Sequence, residues 1–312
     1  MASSPEDRSE RLYGSQASQF DAQRGLAEGA PEWIARAAVR LLGVSPGRVL
    51  ELGAGTGEIG VALARHASFY VALESSAGMA ERWRERFRRE TATPRAASEL
   101  VVRDADLEWP VAAASVDLVF ASRSAHWLDA AHVRDEFLRV SRPGACLLLG
   151  RVVRSLDHPR RWLRRELHRT LLARARTPKD GPRRGSELLF EIVREAPETR
   201  WIPRQSVLEW RFDAAPGPIL QGWREKPSLA GLELEPDERL QVLDQVAERA
   251  REHFGALETA LACHEHYALE GVQRVPDGAS GEPVLGAPFP IRLASRFGPI
   301  AGPKPRQPPG TS

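Results

Sequence analysis

The sequence predicts an α/β protein with a doubly wound, mostly parallel sheet of seven strands and a helical insertion. Two observations carry this prediction. Short apolar runs alternate with stretches of helical periodicity between residues 31 and 155, which is typical of a parallel sheet with crossover helices. The first of these runs, residues 48–52, breaks into a cluster of glycines before a helical pattern resumes. Ligands of such sheets bind where the strands end, so we look there for functional residues.

The glycine cluster, GAGTGEIG at residues 53–60, follows the first predicted strand. Glycine allows a sharp reversal of the chain and lets a ligand approach the backbone closely. The free N–H groups at the start of the next helix then face that ligand. The segment also satisfies the dinucleotide pattern G-x-G-x-x-G, with the acid Glu74 at about the expected distance. The cluster therefore indicates a nucleotide-type site.

Three acids at the ends of predicted strands narrow the choice of nucleotide. Glu51 lies beside the glycine turn, Glu74 ends the second strand, and Asp104 follows the third. A pyrophosphate would be repelled by Glu51, whereas cations and hydrogen-bond donors on a ligand would be attracted by all three carboxylates. The acids favour a ligand that carries positive charge, a ribose diol and an amine.

The run VLELGAGTG at residues 49–57 resembles motif I of the class I S-adenosylmethionine-dependent methyltransferases. The later segments follow the order of that family over roughly residues 30–155, and they are similar to its small-molecule, type 11 branch, which includes trans-aconitate methyltransferase. The resemblance implies a Rossmann-like methyltransferase fold with S-adenosylmethionine as cofactor. It also implies methyl transfer to an O, N or C atom of a small-molecule acceptor.

The resemblance also assigns roles to residues around the glycine turn. Glu51 would lie near the ammonium group of the cofactor, directly or through water, and Glu74 would accept both ribose hydroxyls. Asp104 would accept from the adenine amine, for which Asp106 is a close competitor, while the backbone N–H of Ala105 would meet a ring nitrogen. The predicted cofactor contacts are Glu51, Gly53, Ala54, Gly55, Gly57, Glu74, Ser75, Asp104, Ala105 and Ser122.

The segment ASRSAHWL at residues 121–128, after the fourth strand, is the predicted substrate edge. His126 is a candidate general base, because an unperturbed histidine pKa near 6.5 suits proton transfer. The alternative is that His126 and Trp127 only pack against the insertion or form a wall of the pocket. The N/D-P-P-Y-type motif of the branch that methylates bases is missing here, which makes nucleic acid an unlikely substrate.

The N-terminal segment, residues 1–30, is a candidate lid, since this part of the chain commonly covers the cofactor in the family. Tyr13 and Arg24 are its candidate substrate contacts, and a surface helix with a few packed aromatics is the alternative. We expect a cofactor-binding core at 31–155, an arginine-rich helical insertion over the active site at 156–204, strands and helices that complete the sheet at 205–275, and a mostly disordered Pro/Gly-rich tail at 276–312.

Composition limits the function classes. The net charge of +2 over 312 residues gives no global argument for a nucleic-acid or membrane partner. Two cysteines and a polar N-terminus without a signal peptide suit a soluble, cytoplasmic protein. His264 and His266 would share one face of a strand, but no third ligand is apparent, so we predict no metal.

Other function classes fit part of the pattern. A binding or regulatory module could keep the cofactor pocket without turnover, and an NAD-dependent oxidoreductase would share the glycine turn. The oxidoreductase should lack Glu51 and would need a proton-relay pair that the sequence does not show. The acceptor and the oligomeric state stay open at this stage.

Overall fold

The sheet has seven strands, and helices pack on both of its faces. The computed structural model describes residue 21 and residues 26–90, 97–178, 184–226 and 228–275, with the backbone alone for residues 184–186. The strands are β1 (Arg48–Leu52), β2 (Phe69–Glu74), β3 (Ala97–Val102), β4 (Val116–Ser122), β5 (Ser141–Arg154), β6 (Thr199–Ala214) and β7 (Leu261–Arg274). The helices are α1 (Ala30–Leu42), α2 (Gly60–His66), α3 (Ala77–Glu90), α4 (Ala130–Val140), α5 (Pro159–Ala173), α6 (Arg184–Arg194), α7 (Pro216–Arg224) and α8 (Pro236–Phe254), and a 3-10 turn, Ala125–Trp127, follows β4.

The strand order is β3-β2-β1-β4-β5-β7-β6. The first five strands are parallel, and β7 runs antiparallel between β5 and β6. The order reverses beside β1, so the ends of β1 and β4 flank the crevice where a doubly wound sheet binds its ligand. The prediction of a mostly parallel seven-stranded α/β sheet is confirmed.

Two cores lie on opposite faces of the sheet because β1, β2 and β4 are apolar on both sides. One core contains Ile34 of α1, Leu63 of α2 and Tyr70 of β2. The other contains Phe137 of α4 and Leu189 of α6. The glycine turn joins β1 to α2, and the 3-10 turn lies on the α6 side.

The structure corrects the length of two strands. The apolar run at residues 146–153 predicts the fifth strand, but β5 begins at Ser141, and a register shift after Val116 interrupts its pairing with β4. The alternation at residues 207–212 predicts the sixth strand, but β6 begins at Thr199. Pro203 and two register shifts break its alternating pattern, so the sequence shows only the regular end of the strand. Residues 199–204, which we assigned to the insertion, belong to the sheet.

The helices of the insertion pack in different places. Helix α5 packs on α7 and α8, where Leu167, Leu220 and Val246 share a third core. Helix α6 packs on α4 and on the 3-10 turn. Only α6 of these two therefore lies beside the edge predicted to bind substrate. In the described part of the chain, no helix is both long and apolar enough to cross a membrane.

Candidate cofactor and acceptor site

The glycine turn has the backbone geometry that only glycine adopts readily. The φ angles of Gly53, Gly55 and Gly57 are 65°, 59° and 77°. A Cβ at Gly53 would lie 2.6 Å from the Cβ of Ser124, whereas a Cβ at Gly55 would meet nothing within 4 Å. Gly53 therefore allows the loop after β4 to approach closely, and Gly55 exposes its backbone to open space.

Glu74 connects the end of β2 to this turn. Its side chain is buried and accepts hydrogen bonds from the backbone N–H of Gly55 at 2.7 Å and of Ser76 at 2.8 Å. Ser76 in turn accepts from the N–H of Met79 at 3.4 Å and caps α3, with Ser75 directly before it. A carboxylate offers about four lone-pair sites, so Glu74 can accept from a ligand while it holds the turn.

Asp104 and Ala105 lie in the turn that follows β3. The carboxylate of Asp104 accepts from the N–H of Asp106 at 3.0 Å, and Asp106 accepts from the N–H of Asp129 at 2.8 Å. The carbonyl of Ala105 accepts from the indole of Trp109 at 2.8 Å. No acceptor for the N–H of Ala105 lies among the residues that the structure describes, so this buried donor suits a ligand acceptor. Asp104 and Asp106 each accept one backbone hydrogen bond within the loop, so Asp104 as the ligand contact stays a prediction.

Glu51 is turned into the interior beneath the start of α2. It is 3% exposed and accepts a hydrogen bond from the hydroxyl of Tyr70, which stacks with Trp83 and Phe87. Burial raises the pKa of Glu51 to about 7, and the hydrogen bond from Tyr70 opposes the shift. A direct contact between Glu51 and a cofactor therefore stays a prediction.

Because the pKa of Glu51 is higher in the folded protein than its ordinary 4.5, the folded state holds a proton that the unfolded chain releases between pH 4.5 and 7. The free energy of unfolding should fall across this window and level off above it, by about 3 kcal/mol for this group. We expect Glu51→Gln to remove that part of the pH dependence in denaturant titrations at pH 4.5 to 8. The control is Glu99→Gln, which changes an exposed carboxylate on β3. If the free energy of unfolding fell equally with pH in the wild type and in E51Q, the raised pKa of Glu51 would be contradicted.

Arg123 and Ser124, to which the sequence analysis assigned no role, connect the loop after β4 to the glycine turn. Arg123 has a φ of 61° and pairs with Glu58 at 2.8 Å, and Glu58 also accepts from the N–H of Leu26 at 2.6 Å. The hydroxyl of Ser124 donates to the carbonyl of Leu52 at 2.7 Å. An arginine in the left-handed region is strained, and such strain often occurs at functional sites. Arg123 and Ser124 lie inside the segment that we predicted as the substrate edge.

Tyr267 of β7 also reaches this edge. It is fully buried, and its hydroxyl lies 2.5 Å from the hydroxyl of Ser122 at the end of β4. Burial raises the pKa of Tyr267, so the phenol is neutral at physiological pH. Ser122, a predicted cofactor contact, is thus held by a residue 145 positions away, and local sequence gives no signal of that pairing.

His126 and Trp127 lie on the 3-10 turn, with their rings 5.0 Å apart and both side chains exposed. Trp127 is 46% exposed. The turn packs on α6, which agrees with the alternative that these two residues only pack against the insertion. However, that contact buries neither ring. Both side chains are therefore exposed at the edge that we predicted to bind substrate.

The N-terminal segment meets the glycine turn at Asp21. The hydroxyl of Thr56 donates to Asp21 at 2.7 Å, and Asp21 also pairs with Arg86 of α3. Tyr13 and Arg24, the predicted substrate contacts of this segment, lie outside the described residues.

His264 and His266 lie on β7, on either side of Glu265. His264 is exposed, and Glu265 between the two histidines pairs with Arg154 at 2.6 Å. Within residues 26–90, 97–178, 184–226 and 228–275, no group of three or more His, Cys, Asp or Glu side chains is placed to hold a metal ion.

Comparison with known proteins decides between the nucleotide classes. Residues 50–149 match a family model described as a methyltransferase domain. This region is similar to a methyltransferase domain. The methyl donor of the class I family is S-adenosylmethionine, so the acids around the glycine turn pointed to the correct class of cofactor. The match begins within β1 and ends within β5, and it therefore includes the glycine turn, Glu74, Asp104 and the substrate edge.

Relatives and solved structures agree with the domain match. The chain is 32% identical over 145 residues to uncharacterized methyltransferases of Mycobacterium bovis and Mycobacterium tuberculosis, which is 46% of this chain and 52% of each relative. It thus spans about half the length of the curated relatives it matches. A structure described as a type II methyltransferase from Anaeromyxobacter dehalogenans shares 20% identity with a TM-score of 0.53, covering 79% of this chain and 97% of that one. The [4+2]-cyclase SpnF shares 15% identity with a TM-score of 0.51, covering 85% and 94%. These two structures show the Rossmann-like methyltransferase fold.

Proposed function

We propose that this chain is an S-adenosylmethionine-dependent methyltransferase that transfers a methyl group to an O, N or C atom of a small-molecule acceptor. The observation that carries the proposal is the contact between Glu74 and the N–H of Gly55 at 2.7 Å. It brings the acid at the end of β2 into direct contact with the backbone of the glycine turn, and we place the cofactor pocket at this contact. A ribose diol and the methionine part of the cofactor need such a carboxylate and such a backbone side by side.

The remaining residues of the pocket fit the same ligand. Asp104 and the N–H of Ala105, for which no acceptor lies among the described residues, offer an acceptor and a donor to an adenine ring. Glu74 places a carboxylate directly on the turn, which opposes a pyrophosphate and suits a cationic ligand. An NAD-dependent oxidoreductase is therefore a poorer fit.

The bound cofactor supplies an electrophilic methyl group on a sulfonium. The chain's own task is to align the acceptor atom with that group and exclude water, since proximity and orientation can contribute about 7 to 11 kcal/mol. Arg123 and Ser124 hold the loop after β4 against the glycine turn, and Tyr267 holds Ser122. A general base is required only if the acceptor atom must lose a proton, and His126 is the candidate.

The fold alone does not fix the reaction, because a protein described as a [4+2]-cyclase has a similar fold. The alternative is therefore a module that binds S-adenosylmethionine without transferring its methyl group. The test is incubation with methyl-labelled S-adenosylmethionine and a panel of small alcohols, amines, carboxylic acids and activated carbon acids. We expect label in at least one small product, with release of S-adenosylhomocysteine. Tight cofactor binding with no labelled product from any class would favour the alternative.

If the acceptor is a hydroxyl or amine, His126→Gln should lower kcat about 100-fold, because general-base catalysis contributes 10²- to 10⁴-fold. The affinity for S-adenosylhomocysteine should stay within about twofold, since His126 is proposed to act on the acceptor. The rise of kcat with pH that a neutral imidazole produces should be lost as well. His264→Gln, which changes an exposed histidine of β7, is the control. An unchanged kcat and pH profile in H126Q would assign His126 a packing role.

A further inference from the structure

Two arginines meet one buried glutamate on the face of the sheet that α6 covers. Glu270 of β7 is 3% exposed and pairs with Arg151 of β5 and with Arg204 of β6. Arg204 lies in the register shift between Ile202 and Gln205, which leaves it opposite Glu270. Three neighbouring strands thus place their charged groups together.

The carboxylate of Glu270 is already neutralised by Arg204 alone. Arg204 donates from Nε to one oxygen at 2.8 Å and from Nη2 to the other at 3.0 Å, which is a bidentate pair. Arg151 adds a second guanidinium to the same carboxylate. Within the described part of the chain, Glu270 is the sole hydrogen-bond partner of the Arg151 side chain, although a guanidinium offers five N–H donors.

Arg151 is therefore a surplus cation, and it is mostly buried, with a side chain 13% exposed. Burying a charge without full pairing is costly, and desolvation accordingly lowers the pKa of Arg151. Glu187 of α6 also places a negative charge near Arg151, but its side chain is exposed and the two groups do not form an ion pair. An anion beside Arg151 would balance the charge of this second guanidinium group.

Arg151 lies at the substrate edge. Strand β5 extends beyond the end of β4, whose last pair is Ser122 with Gly150. The N–H of Arg123 donates to the carbonyl of Gly150 at 3.0 Å, directly before Arg151. Strand alternation puts Arg151 on the face of Leu149, whose core includes Ala125 of the 3-10 turn. Strand β4 lies between β5 and β1, so two strand spacings, about 10 Å, separate β5 from the glycine turn, and Arg151 lies on the other side of the loop after β4 from that turn.

The other arginines near the insertion that form ion pairs are more exposed than Arg151. On α5, Arg169 pairs with the buried Glu166, and beyond that helix Arg176 pairs with Glu238. Arg249 of α8 shares Glu166 with Arg169, and the side chains of Arg169, Arg176 and Arg249 are 67%, 51% and 45% exposed, so solvent hydrates these guanidinium groups. The arginine-rich composition of this segment therefore has a structural explanation that does not extend to Arg151.

We infer that Arg151 binds an oxyanion of the acceptor, a carboxylate or a phosphate, and that Glu270 and Arg204 hold its guanidinium in place. This inference rests on the proposed function, because it concerns the molecule that receives the methyl group. Arg151 is thus a specificity residue, and the acceptors it selects are anionic small molecules.

The test is calorimetric titration with three ligands of similar shape: benzoate, phenyl phosphate and the neutral benzamide. Each is titrated into the full chain, with and without saturating S-adenosylhomocysteine. We expect benzoate or phenyl phosphate to bind at least tenfold more tightly than benzamide, and the preferred anion identifies the oxyanion. Arg151→Gln should reduce the preference to within twofold, and Arg151→Lys should retain part of it. Arg142→Gln is the control, because Arg142 lies at the other end of β5 and pairs with Asp117.

Equal binding of the three ligands, or the absence of binding in the millimolar range, would overturn the inference, as would a preference that survives in R151Q. Since Arg204 keeps Glu270 paired, R151Q should unfold at the same temperature as the wild type. If S-adenosylhomocysteine binds but no anion is preferred, only this inference fails. If an anion is preferred and depends on Arg151 while S-adenosylhomocysteine does not bind, the anion site stands and the proposed function fails.

Discussion

Glu74→Ala should weaken the binding of S-adenosylhomocysteine by at least 100-fold. We propose that the carboxylate of Glu74 accepts the ribose hydroxyls, and hydrogen bonds to a charged group contribute about 1.5 to 3 kcal/mol each. The substitution also removes the acceptor of the N–H groups of Gly55 and Ser76, so the turn loses an anchor at the same time. Calorimetric titration of the variant measures the loss.

Glu74→Gln is an intermediate change, because an amide has no charge and keeps one acceptor oxygen, and so only one of the hydrogen bonds from Gly55 and Ser76. We expect E74Q to lose about tenfold in affinity and to melt between the wild type and E74A. Glu99→Ala, on the neighbouring strand β3 and exposed, should bind as the wild type does. Unchanged affinity in a folded E74A protein would show that Glu74 does not contact the ribose.

Gly60→Ala should destabilise the protein by about 2 to 4 kcal/mol. A Cβ at Gly60 would collide with the hydroxyl of Tyr70 and would lie 2.8 Å from Oε2 of Glu51. The phenol cannot yield easily, because it is fully buried and stacked on Trp83. Overpacking costs about 1 to 3 kcal/mol, and a displaced Tyr70 would leave a buried carboxyl group without its donor. Denaturant unfolding measures the change.

Gly222→Ala is the matched control, since Gly222 lies in helix α7 and a Cβ there would meet nothing within 4 Å. Helix propensity alone should then stabilise the protein by up to about 1 kcal/mol. The two substitutions are therefore expected to have opposite signs. The double variant Gly60→Ala with Tyr70→Phe should lose less than the sum of its parts, because the colliding hydroxyl is gone. A stabilised G60A protein would contradict the account of this contact.

The parallel half of the fold could be predicted from the sequence because its signals are local. Strands β1 and β2 are short apolar runs directly followed by Gly53 and Ser75, and Asp104 lies two residues after the end of β3. The end of a strand fixes where the next residue lies, so Glu74 and Asp104 could be placed at the ligand edge from their positions alone. The glycine turn needs positive φ angles at Gly53, Gly55 and Gly57. Because glycine adopts such angles readily, the three glycines in the sequence indicate the turn.

The antiparallel half was harder to predict because it depends on distant contacts. The hydroxyl of Tyr267 meets Ser122 across 145 residues, and Arg204 reaches Glu270 only because a register shift in β6 leaves it there. Pro203 interrupts the alternation of apolar and polar residues in the first part of β6, so the sequence pattern does not indicate a strand there. The environment of Glu51 was also inaccessible, since its partner Tyr70 looks like an ordinary apolar strand residue in the sequence.

The central claim is that the glycine turn, Glu74 and Asp104 form a site for S-adenosylmethionine. It is tested most directly by calorimetric titration of the wild-type chain with S-adenosylmethionine, S-adenosylhomocysteine and NADH under identical conditions. We predict one site per chain for both sulfur nucleotides, with micromolar affinity or better, and no saturable binding of NADH. Binding of NADH without binding of S-adenosylhomocysteine would contradict the account.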